Sequence, residues 1–199
     1  MTYIGIDISK DSFVAAFPKV SGYQTQTYPN TVKGIRKFIG SLSVTEHHCV
    51  MEATGNYGSL LLYLLDRQGI AASMVNPKQI KHFSRMMMTV TKTDPKDACM
   101  IAMYGEKMNP PVYKMPSETV MLLKQKKTII RQLKKQLTAS KNLKSSLVVL
   151  PLQDKNGMKA LDKTISFLAS QIESLESELA DLASSEFDRQ VKLLTSIKG

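Results

Sequence analysis

Residues 3–10, YIGIDISK, form an apolar run that is interrupted by one acidic residue, Asp7. The length of the run and its isoleucines are typical of a buried β-strand. A carboxylate that is buried without a partner is costly, and a metal ion is one of its few good partners. The segment therefore predicts a central strand and, within it, a candidate cation ligand.

The pattern that follows predicts four further strands with helices between them. The predicted strands are DSFVAAF at 11–17, YQTQTY at 23–28, HHCVM at 47–51 and IAASMV at 70–75. The predicted helices are TVKGIRKFIGSL at 31–42, capped by Asn30, and SLLLYLLDRQG at 59–69, ending at Gly69. This order predicts an α/β fold whose mixed sheet is RNase H-like, with flanking helices. In such a sheet the first and fourth strands are neighbours.

Three more acidic residues join Asp7 as candidate ligands. Glu52 ends the fourth strand, in VMEATGNYG, and Asp94 and Asp97 lie near the start of a predicted helix, in KTDPKDA. Residues three apart on a helix share a face, so Asp94 and Asp97 can converge on one ion. Four carboxylates suit two Mg²⁺ (or Mn²⁺) ions, which favour oxygen ligands and assist in-line displacement at phosphorus. Taken singly, Asp94 is also explained as a helix cap and Asp7 as a turn residue.

The sequence Asn-Pro-Pro at 109–111 predicts a boundary between two domains, residues 1–112 and 113–199. Two long helices are predicted beyond it, the first from about 117 to 149. The second carries an apolar seam with alternating spacings of three and four, which is typical of a coiled coil. The seam consists of Met158, Leu161, Ile165, Leu168, Ile172, Leu175, Leu179 and Leu182. An antiparallel hairpin within one chain and a dimerisation arm both satisfy this pattern.

The positive charge is concentrated in the first of these helices. The chain of 199 residues has a net charge of +10, and residues 113–146 hold nine Lys/Arg against one Asp/Glu. Such a block favours contact with nucleic-acid phosphates over a merely solvated face. The charges are expected to fall all around the helix rather than on one stripe. The candidate nucleic-acid-binding residues are Lys124, Lys126, Lys127, Arg131, Lys134, Lys135, Lys141 and Lys144, with Lys78, Lys81, Arg85 and Lys92 nearer the predicted metal site.

The composition predicts a cytoplasmic, nucleoid-associated protein. Hydrophobic residues make up 43% and charged residues 22% of the chain, as in globular proteins. The two cysteines form no disulfide pattern, and there is neither a signal peptide nor an apolar stretch long enough to cross a membrane.

Four blocks of the sequence together resemble the DEDD-type transposases of the insertion sequence 110 family, which are related to the Piv/MooV DNA invertases. The blocks are GIDISK at 5–10, MEATGNYG at 51–58, VNPKQIKHFSR at 75–85 and TKTDPKDA at 91–98, and the match covers residues 3–107. The resemblance implies a RuvC-like domain whose acidic tetrad, here Asp7, Glu52, Asp94 and Asp97, binds Mg²⁺. It also implies a coiled coil, DNA as substrate, a structured bridge RNA as guide, and homodimers or higher oligomers.

The resemblance also implies a second domain, after the coiled coil, that supplies a serine nucleophile. This sequence stops at LLTSIKG, 193–199, about where that domain would begin. We therefore expect the N-terminal part of a transposase, which would not complete recombination alone. Two alternatives are a non-catalytic coiled-coil scaffold that binds nucleic acid and an ATPase of the actin-like or sugar-kinase fold. The ATPase needs a second glycine-rich phosphate loop, and none is evident in the sequence.

Overall fold

The computed structural model of the chain describes residues 1–88 and 93–196, with side chains described as far as residue 188. It divides into two compact units, Met1–Met115 and Pro116–Gly199, and each is considered by itself. Within the described residues, no helix combines the length and apolarity that crossing a membrane requires.

The first unit is built on a five-stranded sheet of order β3-β2-β1-β4-β5. The strands are β1 Thr2–Ile8, β2 Ser12–Lys19, β3 Gly22–Pro29, β4 His47–Glu52 and β5 Ala71–Val75. The first three strands form an antiparallel meander, whereas β4 pairs parallel with β1, and β5 pairs parallel with β4. The mixed RNase H-like sheet predicted from the sequence is therefore confirmed, including the adjacency of the first and fourth strands.

Two helices cover each face of this sheet. Helices α1 Val32–Ile39 and α2 Ser59–Arg67 pack on the face that carries Ile4 and Ile6 of β1. Helices α3 Pro77–Met86 and α4 Asp94–Met108 pack on the opposite face, with Tyr3. The alternation of side chains along β1 thus separates two apolar cores.

Helix α4 lies unusually close to the sheet because two glycines leave room for it. A Cβ atom on Gly5 of β1 would collide with the backbone of Ala98 and Ala102 in α4. A Cβ atom on Gly105 of α4 would lie 2.8 Å from the ring of Tyr3 and 2.9 Å from a methyl group of Val50. The close approach of the α4 backbone to the sheet therefore fixes the position of this helix on β1 and β4.

Two details of the predicted helices are corrected by the structure. Asn30 does not cap α1, because Thr31 does so by accepting a hydrogen bond from the backbone N–H of Gly34. Helix α2 ends at Arg67 rather than at Gly69. Gly69 has a φ of +68°, a conformation that favours glycine, and it turns the chain into β5.

The second unit is a hairpin of two long helices, α5 Glu118–Val148 and α6 Lys155–Ser196. Lys126 pairs with Glu178, and Lys144 pairs with Asp162, so the two helices run antiparallel. All eight predicted seam residues are buried or half-buried, with Leu168 and Ile172 the most buried. The chain thus adopts the hairpin alternative, and its seam packs against its own α5. Phe187 has non-helical backbone angles and marks a kink in α6.

Candidate metal centre and basic groove

Asp7 and Glu52 lie side by side at one end of the sheet. The parallel register of β1 and β4 pairs Gly5 with Val50 and Ile6 with Met51, so its next step pairs Asp7 with Glu52. Neighbouring strands are about 4.8 Å apart. Both side chains point to the face covered by α4, because side chains alternate and Tyr3 and Val50 pack there.

Asp94 and Asp97 occupy the first turn of α4, which approaches that end of the sheet. Gly105 of α4 lies beside Tyr3, whereas Ala98 lies beside Gly5. The helix therefore runs in the opposite direction to β1. Asp94 lies about 6 Å along the helix before Ala98, and Asp7 lies about 7 Å along β1 beyond Gly5, in the same direction.

The sequence left open that Asp94, which precedes a proline, is itself the N-cap of this helix. The structure shows a different cap. Thr93 is the N-cap, and Asp94 and Asp97 are both within the helix. Acidic residues in a first turn are stabilised by the helix dipole. Asp94 and Asp97 therefore both lie in the predicted helix.

The four carboxylates supply the hard oxygen donors that Mg²⁺ and Mn²⁺ prefer. Within the described ranges no three acidic, histidine or cysteine side chains are grouped so as to hold a metal ion. Asp7, Glu52 and Asp97 each interact with another group of the protein. The four residues therefore fit a divalent cation in the type of donor and in their placement towards one end of the sheet. To bind one ion together, their side chains would have to move closer to one another.

Basic residues of α3 begin at the same end of the sheet. Glu52 pairs in register with Val75, and α3 starts immediately afterwards with Asn76 as its N-cap. Lys78 in the first turn is exposed, as are Lys81 and Arg85 farther along the helix. The remaining predicted residue of this group, Lys92, lies outside the described residues.

Asn30, in the turn after β3, ties the loop that follows Glu52 to the turn after β1. The side-chain amide of Asn30 donates to the carbonyl oxygens of Ser9 at 3.0 Å, Tyr57 at 3.1 Å and Lys10 at 3.4 Å. The sequence alone does not indicate this role, since nothing local distinguishes Asn30 from a helix cap.

A second polar cluster that the sequence did not indicate ties the segment after α4 to the sheet. Nε2 of His48 lies 2.7 Å from the hydroxyl of Ser73, and that hydroxyl donates to the carbonyl oxygens of Pro110 and Pro111 at 3.0 and 2.7 Å. Both side chains are buried, and burial lowers the pKa of His48. The backbone N–H of Tyr113 also donates to the carbonyl of Ala72 in β5.

In the second unit, five of the eight basic residues of α5 line one groove, contrary to the expectation that the charges fall all around the helix. An open groove of about 1140 Å³ runs along the hairpin, and five basic residues line it at spacings that place them on one face. They are Lys124, Lys127, Arg131, Lys134 and Lys135, and Thr128, Thr138 and Asn142 continue the same face. These residues are here called the basic groove.

Three lysines of α5 form ion pairs with carboxylates of α6. Lys126 and Lys144 pair with Glu178 and Asp162 of α6, and Lys134, at the groove edge, lies 2.6 Å from Glu176. The hydrogen bond from Lys126 lowers the pKa of Glu178. No carboxylate among the described side chains pairs with Lys124, Lys127, Arg131, Lys135 or Lys141. Among the described side chains of the hairpin, these five residues therefore have no ion-pair partner.

The sheet order and the paired acidic residues define the first unit as an RNase H-like α/β domain, to which a helical hairpin is attached. The profile of the insertion sequence 110 DEDD family, described as a transposase, matches residues 4–150. The chain belongs to this DEDD transposase family.

Curated relatives agree with this assignment. The chain is 32% identical over 209 aligned positions to the pilin gene-inverting protein of Moraxella bovis, and also 32% identical to that of Moraxella lacunata. All of this chain is aligned in both comparisons. The chain spans 62% of the length of each relative.

Proposed function

We propose that this chain is the Mg²⁺-dependent, nucleic-acid-binding portion of a DNA transposase that acts in RNA-guided transposition. The observation that carries the proposal is the placement of Asp7 beside Glu52, at the end of the sheet that the first turn of α4 approaches. Membership of a transposase family supports DNA as the substrate. The two relatives are named for inverting a gene, which is also a rearrangement of DNA.

The four carboxylates are proposed to hold two divalent ions. When bound, such ions would stabilise the attacking and leaving oxygens of an in-line displacement at phosphorus. Asp7 and Glu52 supply ligands from rigid strands, and Asp94 and Asp97 supply them from a helix that Gly5 and Gly105 hold against the sheet. Lys78, in the first turn of α3 near the same end, is proposed to bind the phosphate backbone of the DNA strand.

The basic groove is proposed to bind a structured guide RNA. Several uncompensated cations on one helix face suit a phosphate backbone, and the threonine and asparagine side chains of the groove add hydrogen-bonding groups. The information that selects the DNA target would then come from RNA pairing, so the protein contacts need not be sequence-specific.

Self-association through the hairpin is proposed as well. The seam is used within the chain, so a second copy is proposed to bind the apolar connection between α5 and α6. Val149 and Leu152 there are 79% and 89% exposed, and Leu150 is 47% exposed. A contiguous exposed apolar patch of this kind is typical of an interaction site.

Metal titration tests the function. We expect Mn²⁺ or Mg²⁺ to bind the wild-type chain and to raise its melting temperature, whereas Asp7→Asn should abolish that shift because one ligand oxygen loses its charge. Asp11→Asn is the matched control, since Asp11 is an exposed residue of the neighbouring turn. Equal shifts in all three proteins, or no shift in any of them, would favour the non-catalytic scaffold.

A further inference from the structure

An exposed tyrosine ring stands at the end of the sheet that carries Asp7 and Glu52. Tyr57 lies in the loop between β4 and α2, five residues after Glu52, and it is 50% exposed. It is the most exposed aromatic residue of the first unit, and the next is Tyr113 at 36%. The other aromatic rings of this unit are buried or half-buried in its cores.

The backbone that presents Tyr57 is held on several sides. Asn30 donates to the carbonyl oxygen of Tyr57 and to those of Ser9 and Lys10, which follow the end of β1. The next residue, Gly58, is buried, and a Cβ atom there would lie 3.4 Å from the sulfur of Met51. The loop is therefore fixed to the ends of both strands that carry the acidic pair, while the phenol ring faces solvent.

An exposed ring on a fixed backbone is a good stacking surface. A nucleobase that stacks on an aromatic side chain gains affinity without any charge, and the ring accepts every base because each has a π-face. Little conformational entropy is lost when the platform is already positioned. Lys10, which is exposed in the turn held by Asn30, adds a positive charge at the same end of the sheet.

We infer that Tyr57 stacks against a nucleobase of the DNA strand whose phosphodiester is brought to the Asp7–Glu52 end of the sheet. Tyr57 is thus a positioning residue that sets which phosphate of the strand lies over the carboxylates. This inference rests on the proposed function, because it takes DNA as the substrate. The class of ligand is single-stranded or locally unpaired DNA, since a base must leave its stack to meet the ring.

The experiment uses single-stranded DNA oligonucleotides that carry 2-aminopurine at successive positions, with the purified chain and without added metal. Stacking quenches this fluorophore, so the readout does not depend on cleavage. We expect quenching at one or two positions with the wild-type chain and with Tyr57→Phe, and its loss with Tyr57→Ala. We also expect Tyr57→Ala to bind about tenfold more weakly. Tyr113→Ala is the matched control and should behave as the wild type.

The outcomes separate this inference from the function on which it rests. Unchanged quenching and affinity in Tyr57→Ala, with DNA binding intact, would overturn the role of Tyr57 alone. Failure of the wild-type chain to bind DNA would overturn both proposals. Ring-dependent quenching that appears only with an RNA oligonucleotide of the same sequence would overturn the assignment to the DNA strand.

Discussion

At the scale of single residues, the His48–Ser73 pair shows how a buried polar cluster can act without catalysing anything. The Ser73 hydroxyl donates to the carbonyl oxygens of Pro110 and Pro111, so its lone pair is left to accept from Nε2–H of His48. The ring of His48 also lies against Tyr3, at 5.0 Å between centroids. A serine–histidine contact here fixes the segment that leaves α4, and burial disfavours the charged form of the imidazole.

This cluster predicts a pH dependence of folding. Burial lowers the pKa of His48 below its usual value of 6.5, so the unfolded chain binds the proton more readily than the folded chain. The contribution to stability is complete above about pH 6.5 and is lost as the pH falls towards the folded-state pKa. We expect the melting temperature to decrease between pH 7.5 and 5.5, and less so in His48→Gln.

His82→Gln provides the control, since His82 is exposed on α3 and lies outside the cluster. The same loss of stability on acidification in wild type and His48→Gln would show that His48 does not cause it.

The residues of the proposed site differ in how far the sequence could predict them. Asp7 and Glu52 follow from local patterns, since strand alternation fixes their face and the strand order makes them neighbours. The role of Asn30 depends on carbonyl groups 20 to 27 residues away, and no local pattern encodes that proximity. The exposure of Tyr57 likewise depends on where its loop crosses the ends of the strands.

At the scale of elements, the contact between β1 and α4 positions half of the proposed metal ligands. Gly5 allows the backbone of α4 to approach β1, and α4 carries Asp94 and Asp97 in its first turn. A displacement of this helix would therefore separate two carboxylates from the other two. The packing of one glycine is thus linked to the geometry of the site.

Substitution of Gly5 by alanine tests that link. A Cβ atom would overlap the backbone of Ala98 and Ala102, so α4 must move, and we expect a loss of unfolding free energy of about 1–3 kcal/mol or more. Urea denaturation of the first unit measures the change, and the shift of melting temperature on adding Mn²⁺ should also decrease. Gly40→Ala is the control, because its nearest atoms would lie at an ordinary 3.5 Å. Equal stability of the two variants would contradict this account of the helix position.

The hairpin illustrates what a sequence pattern leaves undetermined at this scale. The spacing of the seam from Met158 to Leu182 predicts an apolar face but not its partner, and α5 of the same chain takes that place. The register between α5 and α6 also decides which lysines of α5 pair with carboxylates of α6. Exposed ion pairs contribute about 0–1 kcal/mol each, so the buried seam rather than the pairs stabilises the hairpin. The basic groove can therefore be recognised only when this register is known.

At the scale of the whole molecule, the charge is distributed so that folding and the proposed nucleic-acid binding make few competing demands. The first unit carries the four proposed metal ligands towards one end of a well-packed sheet. The second unit compensates part of its positive charge internally and leaves the basic groove exposed. Repulsion among the remaining cations is tolerated because they are solvated, and bound phosphates would relieve it.

The basic groove predicts a site-specific loss of RNA binding. We expect Lys127→Gln, Arg131→Gln and Lys135→Gln, made together, to weaken binding and to reduce by about 2 the slope of the logarithm of affinity against the logarithm of salt concentration. The matched control replaces Lys155, Lys159 and Lys163, three exposed lysines of α6, and removes the same charge. A filter-binding titration at several salt concentrations, with RNA that copurifies with the chain, measures both effects. Equal losses in the two triple variants would mean that net charge, and not the groove, attracts the RNA.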